Sequence, residues 1–140
     1  MILHCNYEEL TALASAGQRV LEDIGTAGGA VAAPPRALDD LEALLPRLTG
    51  DVSVATLDEQ RSVQRALELV LEQSHARMDR YVLDQHPAAE HALNAYFEYA
   101  YVLAVRDRAR RIGARMITLI ELMTGRAPDE ESARSLSFPD

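Results

Sequence analysis

The longest helical pattern in the chain is HALNAYFEYAYVLAVRDRARRIGARMITLIELM, which spans residues 91–123. Counted back from its end in alternating steps of four and three, ten positions fall on one face of a helix. They are Met123, Leu119, Met116, Ile112, Ala109, Val105, Val102, Glu98, Ala95 and His91. Eight of the ten are apolar. The two polar ones, Glu98 and His91, are therefore predicted to point into a core.

The whole sequence predicts an all-α fold, an antiparallel helical bundle of about four main helices. Capping boxes open the first helix at Asn6 and the third at Thr56, and His86-Pro87 breaks the chain between the third and fourth helices, which form a long hairpin. The predicted helices cover residues 6–25, 36–48, 56–84 and 87–124, with a flexible glycine- and proline-rich loop over 25–35 and a short helix or tail over 126–140. We expect one domain, residues 1–140.

The composition is that of an ordinary globular protein, with 48% hydrophobic and 26% charged residues. A net charge of -8 disfavours non-specific binding of nucleic acid. All 14 basic residues are arginine, a bias typical of GC-rich bacterial genomes. Cys5 is the only cysteine, and the first residues do not have the pattern of a secretory signal. The longest nearly apolar stretch, residues 95–105, is shorter than the roughly 20 residues of a membrane span. We therefore expect a soluble, cytoplasmic protein.

A group of possible metal ligands flanks the predicted hairpin. Glu72 and His75 form a Glu-x-x-His pair on the third helix, and folding back at His86-Pro87 brings them level with Glu98 on the fourth. This arrangement resembles one half of the metal site of ferritin-like carboxylate proteins. The resemblance implies a site for one divalent metal, iron, zinc or manganese, held by Glu72, His75, His91 and Glu98. The second Glu-x-x-His of that family is missing here. The alternative is that an arginine or a tyrosine hydroxyl satisfies Glu98.

Residues 95–105 are apolar around the whole circumference of a helix. A helix of this kind must be covered on all sides, which favours self-association as a homodimer. The predicted interface residues are Tyr96, Phe97, Tyr99, Tyr101 and Leu103. The alternative is that short flanking helices of the same chain cover this segment.

Five arginines form a basic patch immediately after this segment. They are Arg106, Arg108, Arg110, Arg111 and Arg115. Such a patch can bind phosphate groups or RNA, but the aromatic residues and modules typical of nucleic-acid sites are missing. We expect instead a solvated helix face that pairs with acidic helices of the same bundle or of a partner subunit.

The sequence contains no catalytic triad, Walker loop or cofactor motif. It therefore favours a non-enzymatic helical bundle of unknown role that acts through protein-protein contacts, as a homodimer or with another protein partner. The main alternative is a metal-binding, ferritin-like bundle in metal handling or redox chemistry. A third interpretation, an all-helical nucleotide pyrophosphatase, lacks the ordered set of paired carboxylate motifs that such enzymes use to bind magnesium.

Overall fold

A computed structural model of the chain describes residues 1–25, 34–83 and 89–140. This part of the chain is all-α apart from two short strands, which confirms the predicted fold class. Its elements are β1 (Ile2–Leu3), α1 (Tyr7–Gly25), α2 (Pro35–Leu44), a single 3-10 turn (Leu45–Arg47), β2 (Val52–Ser53), α3 (Leu57–Leu83), α4 (Ala89–Thr124) and α5 (Glu130–Ser135). Most of the predicted 25–35 loop and the His86-Pro87 turn lie outside the described residues.

The two predicted capping signals lie at helix starts, whereas α2 ends at Leu44, before the predicted end at residue 48. At the start of α1, the Asn6 N–H donates to Glu9 Oε1 at 2.9 Å and the Glu9 N–H donates to Asn6 Oδ1 at 2.8 Å. At the start of α3, the Glu59 N–H donates to the hydroxyl of Thr56 at 3.1 Å. At the end of α4, Gly125 takes a positive φ of 71° and its N–H donates to the Glu121 carbonyl. Glycine adopts this left-handed conformation at little cost, so it ends the helix cleanly.

Three helices, α1, α3 and α4, surround the main core, and α2 packs against α3. Both α1 and α3 run antiparallel to α4: Glu9 and Arg19 of α1 contact Arg108 and Glu98 of α4, in reverse order along the chain. The core side of α4 follows the predicted face over Ala95, Val102, Val105, Ala109 and Met116, which are fully or almost fully buried. Near the end of the helix, Ile120 is fully buried although the predicted face contained Leu119, which is only partly buried.

Two positions of the predicted core face lie outside the core. Met123 is exposed because α4 has 36 residues and α3 has 27, so the C-terminal end of α4 extends past the start of α3. At about 1.5 Å of rise per residue, the difference is roughly 13 Å. His91 is exposed near the hairpin end of α4, where its ring lies 6.1 Å from that of Tyr81.

A small structure that the sequence did not predict joins distant parts of the chain. Strands β1 and β2 pair antiparallel, with Ile2 opposite Ser53 and Leu3 opposite Val52. After α5, Phe138 is buried and its N–H donates to the Ala55 carbonyl at 2.7 Å. The segment of residues 52–55 is therefore held between the first and last residues of the chain.

Candidate functional site

Glu98 is the centre of a polar network inside the bundle. Its side chain is only 9% exposed. One carboxylate oxygen accepts a hydrogen bond from Arg19 of α1, and the other lies 3.2 Å from Nη1 of Arg77 on α3. The hydroxyl of Ser74 lies 3.5 Å from the same oxygen as Arg77. The buried carboxylate thus has two positive partners, and it connects the three helices that surround the core.

The inward orientation predicted for Glu98 is therefore present, and two arginine side chains contact its carboxylate. The other three predicted ligands do not join it. His75 and Glu72 are exposed, and Nδ1 of His75 lies 3.3 Å from a carboxylate oxygen of Asp79. Within residues 1–25, 34–83 and 89–140, no three or more histidine, cysteine, aspartate or glutamate side chains form a group that could hold a metal ion.

Helix geometry explains why the predicted metal set does not assemble. Successive residues of a helix are rotated by about 100°, so the side chains of residues 72 and 74 point about 160° apart. Ser74 is buried and faces Glu98. Glu72 consequently points away from Glu98, and His75 is turned to the side, where its ring lies 5.4 Å from that of Tyr99. The sequence predicted that Glu72, His75 and Glu98 lie at similar heights along the hairpin. It did not predict the direction in which each side chain points around its helix axis.

A polar cleft of about 370 Å³ lies beside Glu98. Arg19, Arg77 and Arg80 line it, together with Asp23 and Tyr81. The guanidinium of Arg77 also lies 5.3 Å from the centre of the Tyr81 ring, a distance at which a cation is attracted to an aromatic face. Because Glu98 engages Arg19 and Arg77, these arginines form an internal ion network in this structure.

The predicted basic patch divides into paired and unpaired arginines. Arg106 and Arg110 both contact Glu68 of α3, at 3.4 Å and 2.9 Å, and Arg108 contacts Glu9 of α1 at 2.6 Å. These three follow the expectation of a helix face that pairs with acidic helices of its own bundle. Arg111 and Arg115 are exposed and form no ion pair with the part of the chain that is described.

Cys5 lies in a cluster of charged groups at the start of the chain. Its N–H donates to Asp51 at 2.9 Å, and Asp51 also contacts His4. Burial, followed by the negative charges of Glu9 and Asp51, raises the pKa of the Cys5 thiol to about 11. Since the thiolate is the nucleophilic form, this environment does not activate Cys5.

The predicted interface residues differ in their surroundings. Tyr96 and Phe97 are exposed, and their rings meet edge to face at 5.9 Å. Tyr101 is half-buried, whereas Tyr99 and Leu103 pack against the core of their own chain. The neighbouring helices thus cover part of the circumference of this segment and leave Tyr96 and Phe97 outside.

We predict that Glu98→Gln destabilises the fold by about 1–3 kcal/mol, because it removes the charged carboxylate that both Arg19 and Arg77 contact in a partly buried site. Urea unfolding followed by circular dichroism measures the change. The matched control is Glu121→Gln, which removes an exposed carboxylate from the same helix and is expected to change stability by less than about 0.5 kcal/mol. Equal effects of the two substitutions would contradict a stabilising role for the Glu98 network.

We predict that the contribution of Glu9 to stability depends on pH. Desolvation raises the pKa of this carboxyl, but hydrogen bonds from Arg108 and the Asn6 N–H outweigh it and lower the pKa in the folded state. A lowered folded-state pKa stabilises the fold at neutral pH, and this stabilisation is lost as the pH falls from the ordinary pKa of a glutamate, about 4.3, through the lowered folded-state pKa. Urea unfolding should therefore show a stability difference between wild type and Glu9→Gln that is present at pH 7 and shrinks in acid. The control Glu8→Gln, at an exposed neighbour, is expected to have little effect at either pH. A Glu9→Gln difference that is constant across this range would refute the linkage.

Within the described residues, no helix is both long enough and apolar enough to cross a membrane. No known protein family, curated protein or solved structure matches the chain. Conclusions about function therefore depend on the geometry of the chain itself.

Proposed function

We propose that this protein is a non-enzymatic helical bundle that forms a homodimer through the outer face of α4 and acts through protein-protein contacts. One observation supports the proposal: the first half of α4 carries a second apolar face opposite the one that faces the core. We call it the outer stripe. It consists of Leu93, Tyr96, Phe97, Ala100 and Ala104.

The rotation of residues along α4 separates the outer stripe from the core face. At about 100° per residue, the outer stripe is centred roughly 160° away from Ala95, Val102 and Val105, which are fully buried. A surface helix normally carries charged and polar residues in that direction. Here Leu93, Tyr96 and Phe97 are 53%, 54% and 46% exposed. A continuous apolar face on the solvent side of a helix is typical of an interaction surface.

The composition of the outer stripe suits a protein interface. Aromatic side chains are enriched in such interfaces, and Tyr96 and Phe97 provide most of the exposed apolar area of the stripe. Ala100 and Ala104 are small, so a second helix can approach closely. The only charged residue between positions 91 and 105 is Glu98, which is turned inward and paired. Two copies can therefore meet at this face without like-charge repulsion.

The charges at the two ends of the stripe favour a second copy in antiparallel orientation. Glu90 lies before the stripe. On the same side of α4 the stripe is followed by Asp107, which contacts its neighbour Arg106, and by Arg111 and Arg115, which form no ion pair with a described residue. An antiparallel partner helix centred near Phe97–Tyr101 places Glu90 of one copy opposite residues 108–111 of the other. Twofold symmetry creates this contact twice, and twofold dimers are the commonest oligomers.

We predict that the protein sediments as a dimer of about twice the 15.4 kDa chain mass and that Phe97→Arg converts it into a monomer. The reason is that an unpaired charge would be buried at the centre of the interface. Leu122→Arg is the matched control, because Leu122 is an exposed apolar residue of the same helix, 77% accessible and outside the stripe. Sedimentation equilibrium reports the mass. A monomeric wild type, or a Phe97→Arg dimer of unchanged affinity, would refute the proposal.

We predict further that the charges beside the stripe set the orientation of the two copies. Arg111→Glu should weaken the dimer severalfold at low salt, because it places two carboxylates opposite each other, and Glu90→Arg combined with Arg111→Glu should recover most of the loss. The dissociation constant measured at two salt concentrations tests this. If the double variant is no tighter than Arg111→Glu alone, the antiparallel arrangement is excluded.

The metal-binding alternative has no comparable support, because its four candidate ligands do not assemble.

A further inference from the structure

A groove runs along α3 between α2 and the second half of α4, with a cavity volume of about 740 Å³. One side of α3 forms its floor, from the buried Leu57 at one end to the exposed Glu72 at the other. At about 1.5 Å of rise per residue, this floor is roughly 22 Å long. The volume lies within the range of about 300–1,000 Å³ typical of small-molecule sites. None of the residues of the outer stripe lines this groove.

The interior of the groove is mainly apolar. Leu57 and Leu69 contribute from α3, Ala37 from α2 and Ile117 from α4. Gly113 and Ala114 form the α4 wall, and their small size leaves the groove open. An apolar cleft of this length suits an elongated apolar molecule, because burial of its chain removes hydrocarbon from water.

A buried glutamine fixes the spacing of the two helices at the groove. The side-chain amide of Gln60 donates to the Ala109 carbonyl of α4 at 2.7 Å and to Gln64 at 2.8 Å. A Cβ at position 113 would lie 2.7 Å from the Gln60 nitrogen, so a larger residue there would displace this amide from its position. The α3–α4 wall of the groove is thus preformed, which lowers the cost of ordering a ligand.

The groove has different charges at its two ends. Toward its far end, Glu68 contacts Arg110, and Glu72 lines the cavity. At the Leu57 end the lining side chains include Arg61 but no carboxylate. Arg61 of α3 and Arg36 of α2 are both exposed, and neither forms an ion pair with any described residue. Of the two, Arg61 lies on the floor of the groove, close in sequence to the apolar Leu57. In contrast, Arg65 in the middle of the groove is held by Asp40 at 2.6 Å. The Leu57 end therefore offers an unengaged guanidinium beside an apolar cavity.

We propose that this groove binds a single-chain amphipathic anion, with its apolar chain along α3 and its anionic head group on Arg61. The guanidinium donates paired hydrogen bonds to a carboxylate or a phosphate, and the apolar lining accepts the chain. A twelve-carbon chain, about 15 Å long when extended, fits within the floor of the groove.

The test is calorimetric titration of the full-length protein with four twelve-carbon probes kept below their micelle concentrations. Dodecanoate and dodecyl phosphate carry the two anionic head groups, 1-dodecanol is neutral and dodecyltrimethylammonium is cationic. We expect saturable one-to-one binding of at least one anionic probe and at least tenfold weaker binding of the cationic one. The better anion identifies the head group. Absence of saturable binding for both anions, or equal affinity for the cation, overturns the proposal.

Substitutions in the groove locate the binding. Arg61→Gln is expected to weaken the binding of the anionic probe about tenfold and to leave the affinity for dodecanol unchanged, because it removes the head-group contact alone. Ala114→Phe should abolish binding of every probe, since the new ring fills the cavity from an exposed position of α4. Two control variants should bind the probes with wild-type affinity. They are Arg115→Gln, which lies next to Ala114 but outside the groove, and Phe97→Arg, which lies in the outer stripe. Wild-type affinity in Arg61→Gln overturns the proposal even if Ala114→Phe does not fold.

Discussion

The ion network of Glu98, Arg19 and Arg77 is the constraint on which the bundle depends. A carboxylate in a mostly apolar core is costly unless positive partners and hydrogen bonds surround it. Because Arg19 comes from α1 and Arg77 from α3, Glu98 is satisfied only when both helices lie against α4 in the observed register. A shift of either helix by one turn, about 5.4 Å, would leave a charge unpaired. Apolar side chains alone tolerate such shifts more readily, so the network adds specificity to the packing.

Most of the fold was predictable from local sequence signals. The capping pairs Asn6/Glu9 and Thr56/Glu59 placed helix starts within a residue, and the apolar spacing of 91–123 identified most of the core side of α4. The pairing of Ile2–Leu3 with Val52–Ser53 was not predictable, because two-residue strands leave no periodic pattern and their partners lie about fifty residues apart. For the candidate site, the burial of Glu98 followed from periodicity. Its partners did not, because Arg19 belongs to another helix whose rotation the sequence does not specify. The predicted ligands Glu72 and His75 were placed by their spacing and their height along the hairpin, and His91 by the apolar spacing of its own helix.

The two sides of α4 carry different kinds of side chains. The side of α4 that faces α1 and α3 combines an apolar core with one buried charge, whereas its outer side is apolar with Tyr96 and Phe97 exposed. Inward pairing of Glu98 removes the one acidic group that would otherwise interrupt this segment. The network that organises the core therefore also leaves the outer stripe uncharged. Of the arginines that follow the stripe, Arg106, Arg108 and Arg110 form ion pairs within the chain. Arg111 and Arg115 are exposed and form no ion pair with a described residue.

The contacts of residues 52–55 with both the first and the last residues bring residues 1 and 140 close together. The amino group of Met1 donates to the Val54 carbonyl at 2.7 Å and lies 3.4 Å from the side-chain carboxylate of Asp140. Residues 1 and 140 are thus neighbours in space, so a linker of a few residues could join them into a cyclic polypeptide without disturbing the helices. Ring closure would restrict the unfolded chain much more than the folded one, and would raise stability through entropy alone. The backbone could then be reopened at a surface connection elsewhere, giving a permuted chain with the same bundle.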